Sequence, residues 1–105
     1  MRWEKLTTNE FAGLDRSIPV VLNVAAIEQH GPHLAIDTDV AIGGHFLDRL
    51  EARMGDQVLI LPQVKVCCSE HHMEFAGTLS IRHETFLAYV GDILESVVRH
   101  GFTNI

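Results

Sequence analysis

Between Arg16 and Arg49 the chain has no lysine or arginine, yet this interval holds four carboxylates (Glu28, Asp37, Asp39, Asp48) and three histidines (His30, His33, His45). The densest part is Glu28-Gln-His30-Gly-Pro-His33-Leu-Ala-Ile-Asp37-Thr-Asp39. Uncompensated negative charge beside imidazoles suits a divalent cation. Alternate residues of an extended segment share a side, so Glu28 and His30 point the same way and Asp39 can return to them at the start of a following helix. Carboxylate, imidazole and carboxylate form a donor set for Zn²⁺, Mn²⁺ or Fe²⁺, and an aspartate can bridge two ions through its two oxygens. Two such ions would polarise a carbonyl and lower the pKa of water towards about 7, the chemistry of metal-assisted hydrolysis. By composition alone, acidic residues and histidines in a Gly-Pro loop also occur as plain solvated surface, and the spacing leaves both readings open.

The elements that must position these residues can be read on either side of them. Pro19-Val-Val-Leu-Asn-Val24 has the length and β-branched content of a strand buried on both faces in a parallel sheet, and it runs directly into the acidic loop. Sites of open α/β sheets lie at such carboxyl ends. Residues 40–53 place Ile42, Phe46, Leu47 and Leu50 at helical spacing, with Thr38 or Asp39 as the expected cap. Val58 to Leu61, closed by Pro62, is a second strand, which completes a βαβ unit. Val64 to Cys67 is read as a third strand, 69–77 as a loop and Thr78 to Ile81 as an edge piece. A long helix follows, with Phe86, Leu87, Val90, Ile93, Leu94, Val97 and Val98 on one stripe and Gly101 as its C-terminal cap. Phe102 to Ile105 opens another strand, and the pattern breaking off there gives the expectation of a chain cut short. Near the N-terminus, Thr7 and Glu10 have the spacing of a capping box for a short peripheral helix over 8–15.

Composition narrows the function classes. A length of 105 residues allows one domain, and 47% hydrophobic with 21% charged residues is a globular balance. A net charge of −6 argues against a phosphate-tracking surface, so nucleic acid is not the expected partner. No apolar run approaches the roughly 20 residues that span a bilayer, and the first residues lack a signal-peptide core, so the expected location is cytoplasmic with no membrane partner. Cys67 and Cys68 are the only cysteines, which excludes a disulfide framework and leaves them as small buried hydrophobes. No phosphate-binding glycine pattern accompanies the βαβ order, so a flavodoxin-like nucleotide binder is disfavoured.

Ile27-Glu-Gln-His-Gly-Pro-His-Leu34 with Thr38-Asp39, and then Ser69-Glu-His-His72-Met-Glu-Phe75-Ala-Gly77-Thr78-Leu-Ser80, are two ordered motifs that resemble those of the creatininase family of metal-dependent amidohydrolases. The resemblance runs from about Pro19 to Ile105. It implies a three-layer α/β/α fold with a mostly parallel sheet, of which residues 1–105 are the N-terminal portion of a single domain. It also implies two divalent ions, with Glu28, His30 and Asp39 on metal-ligand positions and Asp39 on the bridging one. Hydrolysis of a C–N bond in a cyclic amide, formamide or peptide-like small molecule is the implied reaction, and a homo-oligomer, commonly a hexamer, the implied assembly. His72 matches the family's loop histidine and, with Glu70, is the expected catalytic pair lining the pocket. Asn23, Ala25 and Ala26 stand where the family commonly has Pro, Gly and Ser, and Ala35 and Ala76 each replace a usual Pro. Further ligands are expected from an Asn-Gly-His segment that this chain does not reach, so the chain by itself is expected to be inactive. The competing reading is a truncated, non-catalytic fragment or binding module that keeps the first half of the fold. Of the other histidines, His33 is expected to bond the Gly-Pro turn, His71 and His45 to lie at the surface, and His83 and His100 to flank the last helix. Gly43-Gly44 is expected to admit close helix packing.

Overall fold

The computed structural model describes all residues 1–105. In chain order its elements are α1 (Thr8–Ala12), β1 (Val20–Val21), α2 (Thr38–Met54), β2 (Leu59–Ile60) and α3 (His83–Arg99), with 3-10 turns at Trp3–Lys5, Gly55–Gln57 and Glu70–His72. Strands β1 and β2 are parallel, with Val20 opposite Leu59 and Val21 opposite Ile60. Successive side chains alternate between the two faces of this ladder. Val20, Leu59 and Leu61 join Val97 of α3 and Phe102 on one side, with Trp3 and Phe11 packed against them. Val58 and Ile60 join Leu47 of α2 on the other, with Val21, Leu50 and Met54 alongside. Helix, sheet and helix therefore make three layers of an α/β fold, as the family resemblance implied. No helix is long and apolar enough to cross a membrane.

The sheet is wider than the regular strands. The Val20 N–H donates to the Asn104 carbonyl (2.8 Å), so the chain after α3 passes beside β1, although residues 102–105, expected to open a strand, form no regular strand. On the far side the Ile60 N–H donates to the Met1 carbonyl (2.9 Å), and Arg2 pairs in parallel with Ile60. The first two residues thus form an edge that no sequence pattern announced. The Met1 ammonium donates to the Gly55 and Val58 carbonyls, and Arg2 reaches Asp48 and Glu51 of α2. The Arg2 guanidinium beside Glu51 holds that carboxyl below its ordinary range.

Several expectations are revised. Val64–Cys67 is not a third strand: Val24 pairs in parallel with Val64, so this stretch continues the β1–β2 ladder after an interruption. Pro62 does not face β1, since Leu59 and Leu61 donate to that strand and Ile60 to the opposite side; the register instead slips by one residue after it. The Val64 N–H donates to Asn23 and the Ala25 N–H to Val64, so pairing resumes two residues later. The apolar stripes are also narrower than their spacing suggests. Ile42 and Phe46 of α2 and Leu87 and Val98 of α3 are at least half exposed. Helix α1 stops at Ala12, three residues earlier than its pattern, although the Thr7–Glu10 capping box is present in full. At the other end of the fold Gly101 adopts φ 92°, a left-handed conformation open to glycine. The Gly101 and Phe102 N–H groups donate to Val98 and Val97, the paired bonds of a Schellman cap.

The two helix glycines of α2 differ. A Cβ at Gly43 would collide with Asn23 Oδ1 and lie 2.8 Å from Gln63 Nε2, whereas one at Gly44 would meet nothing within 4 Å. Gln63 Nε2 donates to Asn23 Oδ1 (2.6 Å) and to the Val40 carbonyl (3.1 Å), so Gly43 is what lets α2 sit on this loop junction. Gly44→Ala should stabilise the fold by about 1 kcal/mol through helix propensity. Gly43→Ala should be less stable than Gly44→Ala by about 1 kcal/mol or more, because the hydrogen-bonded Asn23 and Gln63 amides must shift to admit the Cβ. A Gly43→Ala urea midpoint equal to or above that of Gly44→Ala would contradict this.

Candidate metal centre

At the carboxyl end of β1 the chain leaves the sheet and closes a loop over residues 28–36, with the Glu28 N–H donating to the Ile36 carbonyl (3.0 Å). Gly31 turns that loop at φ 78°. Helix α2 then begins at Thr38, which delivers Asp39 in its first turn. Neither Thr38 nor Asp39 is the helix cap, contrary to expectation: the cap position is Asp37, whose side chain makes no capping bond. The Thr38 hydroxyl donates to the Ala35 carbonyl, and the Asp39 carboxylate faces His30. The Asp39 side chain bonds the histidine and makes no bond to the helix end.

Glu28, His30 and Asp39 each bring one donor atom within 4.8 Å of the others. His30 Nε2 lies 3.1 Å from Asp39 Oδ1, and His30 Nδ1 lies 3.0 Å from the Glu28 carbonyl. A carbonyl only accepts, so Nδ1 carries a proton, and Nε2 faces a second acceptor. Two acceptors on one imidazole call for an imidazolium, or for a metal ion at Nε2. Ligands held at about 2.0–2.2 Å from an ion stand about 2.8–3.1 Å apart in an octahedral shell and about 3.3–3.6 Å apart in a tetrahedral one, and the Nε2 to Oδ1 separation of 3.1 Å is near both. The His30 pKa is held above its ordinary 6.5, first by the bond to the Glu28 carbonyl and further by the Asp39 carboxylate. The donor types, the spacing and the ring orientation all fit a divalent cation.

Glu28 and Asp39 also line a cavity of about 520 Å³ whose other walls include Phe46, Cys67, Cys68 and His71. The exposed Phe46 is therefore part of this wall and not of the core. Cys67 and Cys68 are half-buried rather than buried, and burial pushes the Cys67 thiol up, which keeps it protonated and a poor nucleophile at neutral pH. The loop over 69–77 is brought to the site by the antiparallel pairing of Ile27 with Leu79 and by the Gln29 N–H donating to Thr78 Oγ1 (3.2 Å).

Of the two residues expected to act in catalysis, His72 is half-buried and has Nδ1 2.8 Å from Gln29 Nε2. Glu70 is exposed and stands outside both convergent groups of donors. The second such group is Glu28, His71 and His72. His33 is exposed and makes no hydrogen bond to the Gly-Pro turn, contrary to expectation; Gln29 Oε1 instead accepts from the Gly31 N–H (2.9 Å). His71 is exposed as expected and also lines the cavity, and Gln29 is the residue that sequence reasoning passed over. An amide set between two candidate ligands was the available signal for Gln29.

A family model described as "Creatininase: Creatinine amidohydrolase" matches residues 4–105. The chain belongs to the creatininase family. The match reaches into the N-terminal residues that the motif resemblance left out. Among relatives, the chain is 36% identical over 81 residues to a mycofactocin precursor peptide peptidase of Mycolicibacterium smegmatis, covering 72% of this chain and 33% of that protein. It is 27% identical over 106 residues to the creatinine amidohydrolase of Pseudomonas putida, covering 96% of this chain and 39% of that one. The fold superposes on a mutant creatininase at TM-score 0.83 and 28% identity, covering 98% of this chain and 42% of the creatininase. Other creatininase structures matched are a Mn form, a Zn-Zn type and a mutant complexed with creatine, at TM-scores of 0.82, 0.80 and 0.82, 29% identity and 41% of each of those chains. They cover 96%, 95% and 96% of this chain. The chain thus spans about a third to two fifths of the relatives it matches.

Proposed function

We propose that this chain carries the first ligands of a metal-dependent amidohydrolase, acting on a C–N bond of a cyclic amide, formamide or peptide-like small molecule. The observation that supports it most is the His30 ring, whose Nδ1–H is tied to the Glu28 carbonyl while Nε2 meets Asp39 at 3.1 Å. Glu28, His30 and Asp39 would hold the cation, with Asp39 as the residue able to bridge two. Divalent ions such as Zn²⁺ or Mn²⁺ bound there supply carbonyl polarisation and an acidified water. The chain's own contribution is positional. A bond to the Glu28 carbonyl fixes the imidazole before any ion arrives, and helix α2 fixes the carboxylate, so little reorganisation is needed on binding. The apolar wall at Phe46 and the half-buried cysteines give a small amide a dry surface beside the donors.

The relatives named for peptidase and creatinine amidohydrolase activity support the reaction class. The location is taken as cytoplasmic and the assembly as a homo-oligomer within the same proposal. A non-catalytic binding module is the second reading, favoured because three protein donors shared between two ions leave both shells open. An amidase signal that tracks the purified chain and disappears with chelator would decide against that second reading. The substrate class is tested without turnover. In the Mn²⁺-loaded chain, proton lines of a cyclic amide should broaden through the nearby paramagnetic ion and stay sharp with Asp39→Ala. Sharp lines in a chain shown to hold Mn²⁺ would contradict the proposed substrate class.

A further inference from the structure

Gln29 joins the two loops of the site through bonds that admit one assignment. Its Oε1 lies 2.9 Å from the Gly31 backbone nitrogen and its Nε2 lies 2.8 Å from His72 Nδ1. A backbone N–H can only donate, so the carboxamide oxygen belongs at Gly31 and the NH₂ at His72. An NH₂ group also only donates, so His72 Nδ1 accepts. The neutral ring then carries its proton on Nε2. The Gln29 backbone is held in turn by Thr78, and the His72 ring is packed by His71 and Phe75 at centroid distances of 4.2 and 6.2 Å.

We propose that Gln29 is a positioning residue that holds His72 as the Nε2–H tautomer, making His72 a hydrogen-bond donor in the site and removing it from the set of cation ligands. Proximity alone would suggest otherwise, since Glu28, His71 and His72 bring donor atoms within 4.8 Å of one another. Ligation through Nδ1 is blocked by the Gln29 amide itself. Ligation through Nε2 would move the ring proton to Nδ1, where it would face the Gln29 NH₂ donor to donor. Inverting the amide would break the bond to Gly31 and leave two donors opposed there. His30 and His72 therefore have opposite roles set by their neighbours: His30 has its Nδ1 proton on a carbonyl and Nε2 turned to the ion position, and His72 has its Nδ1 lone pair on an amide and an N–H left over. Such an N–H suits an oxygen acceptor, and on the amidohydrolase reading above that acceptor is the substrate carbonyl. The tautomer does not depend on that reading.

Two-bond ¹⁵N–¹H spectra of the imidazoles, recorded above the pH range in which histidine protonates and assigned with His72→Gln, test this. The wild-type chain should show His72 protonated at Nε2. Because free histidine also favours that form, the decisive variant is Gln29→Glu, whose carboxylate still accepts from Gly31 but now accepts from His72 as well. The His72 proton should move to Nδ1 in that variant. Gln29→Met, which removes both bonds, should give a mixture. After saturation with Zn²⁺, the wild-type His72 pattern should be unchanged while His30 shifts. A wild-type ring protonated at Nδ1, a tautomer unmoved by Gln29→Glu, or a His72 Nε2 proton lost on adding Zn²⁺ would each overturn the proposal. Failure to bind metal at all would count against the hydrolase reading and leave the tautomer result standing. The wild-type spectra decide even where a variant does not fold.

Discussion

Replacing Phe102 with alanine should cost about 3–5 kcal/mol and move the urea midpoint well below that of the wild-type chain. The side chain is fully buried, and only 13 of the 105 residues are buried at all, so few other contacts can compensate. Its ring lies 5.8 Å from Trp3 and 6.4 Å from Phe11 between centroids, with the Arg16 guanidinium 4.8 Å above it. A domain of this size has a total stability of about 5–15 kcal/mol, so one such loss consumes a large share of it. The consequence reaches the metal centre through the backbone. Phe102 closes the Schellman cap of α3 and leads into Asn104, whose carbonyl holds Val20 at the start of the segment that ends at Glu28. In urea that leaves the wild-type chain folded, Phe102→Ala should therefore lose metal binding together with its tertiary structure, and Phe102→Leu should retain both with a smaller shift of the urea midpoint. A loss below about 1 kcal/mol for the alanine variant would contradict the core assignment.

Metal affinity should fall with acidity, and the fall should begin above the ordinary histidine pKa of 6.5. Binding must displace the proton that His30 Nε2 shares with Asp39, so below the raised His30 value each pH unit costs about tenfold in affinity. Calorimetry in buffers of different ionisation heat should count about one proton released in this range, and His30→Gln should remove that proton along with most of the affinity. The metal-free protein has the opposite trend. Because the folded pKa is raised, the stability contributed by the His30–Asp39 pair is complete below 6.5 and is lost as pH rises through the folded value. An affinity constant across pH 6–8, the range in which histidine changes charge, would contradict the assignment of His30 as a ligand.

Local chemistry was legible in the sequence where a short pattern determines it. The Thr7–Glu10 capping box, the glycine at the end of α3 and the β-branched run before Glu28 each need only a few neighbouring residues to be recognised. The closeness of Glu28 and His30 was legible for the same reason. Misreadings arose where distant groups compete for one residue. Pro62 looked like a strand end, but the ladder resumes at Val64 because Asn23 and Val64 still pair across it. Asp39 looked like a helix cap, but its carboxylate is taken by His30. Helical spacing alone could not divide Ile42 and Phe46, which line the cavity, from Leu47, which fills the core. Gln29 and His71 acquire their place only when 69–77 folds back through the Ile27–Leu79 pairing, a contact no local pattern contains.

The most direct test of the metal centre is elemental analysis of the purified chain after loading with Zn²⁺ or Mn²⁺ and desalting, with Asp39→Ala treated identically and native mass recorded for both. Near-stoichiometric metal in the wild-type chain, lost in Asp39→Ala at unchanged native mass, is the expected result. Equal metal in both folded proteins, or none in the wild-type chain, would contradict the assignment of Glu28, His30 and Asp39 as a metal centre.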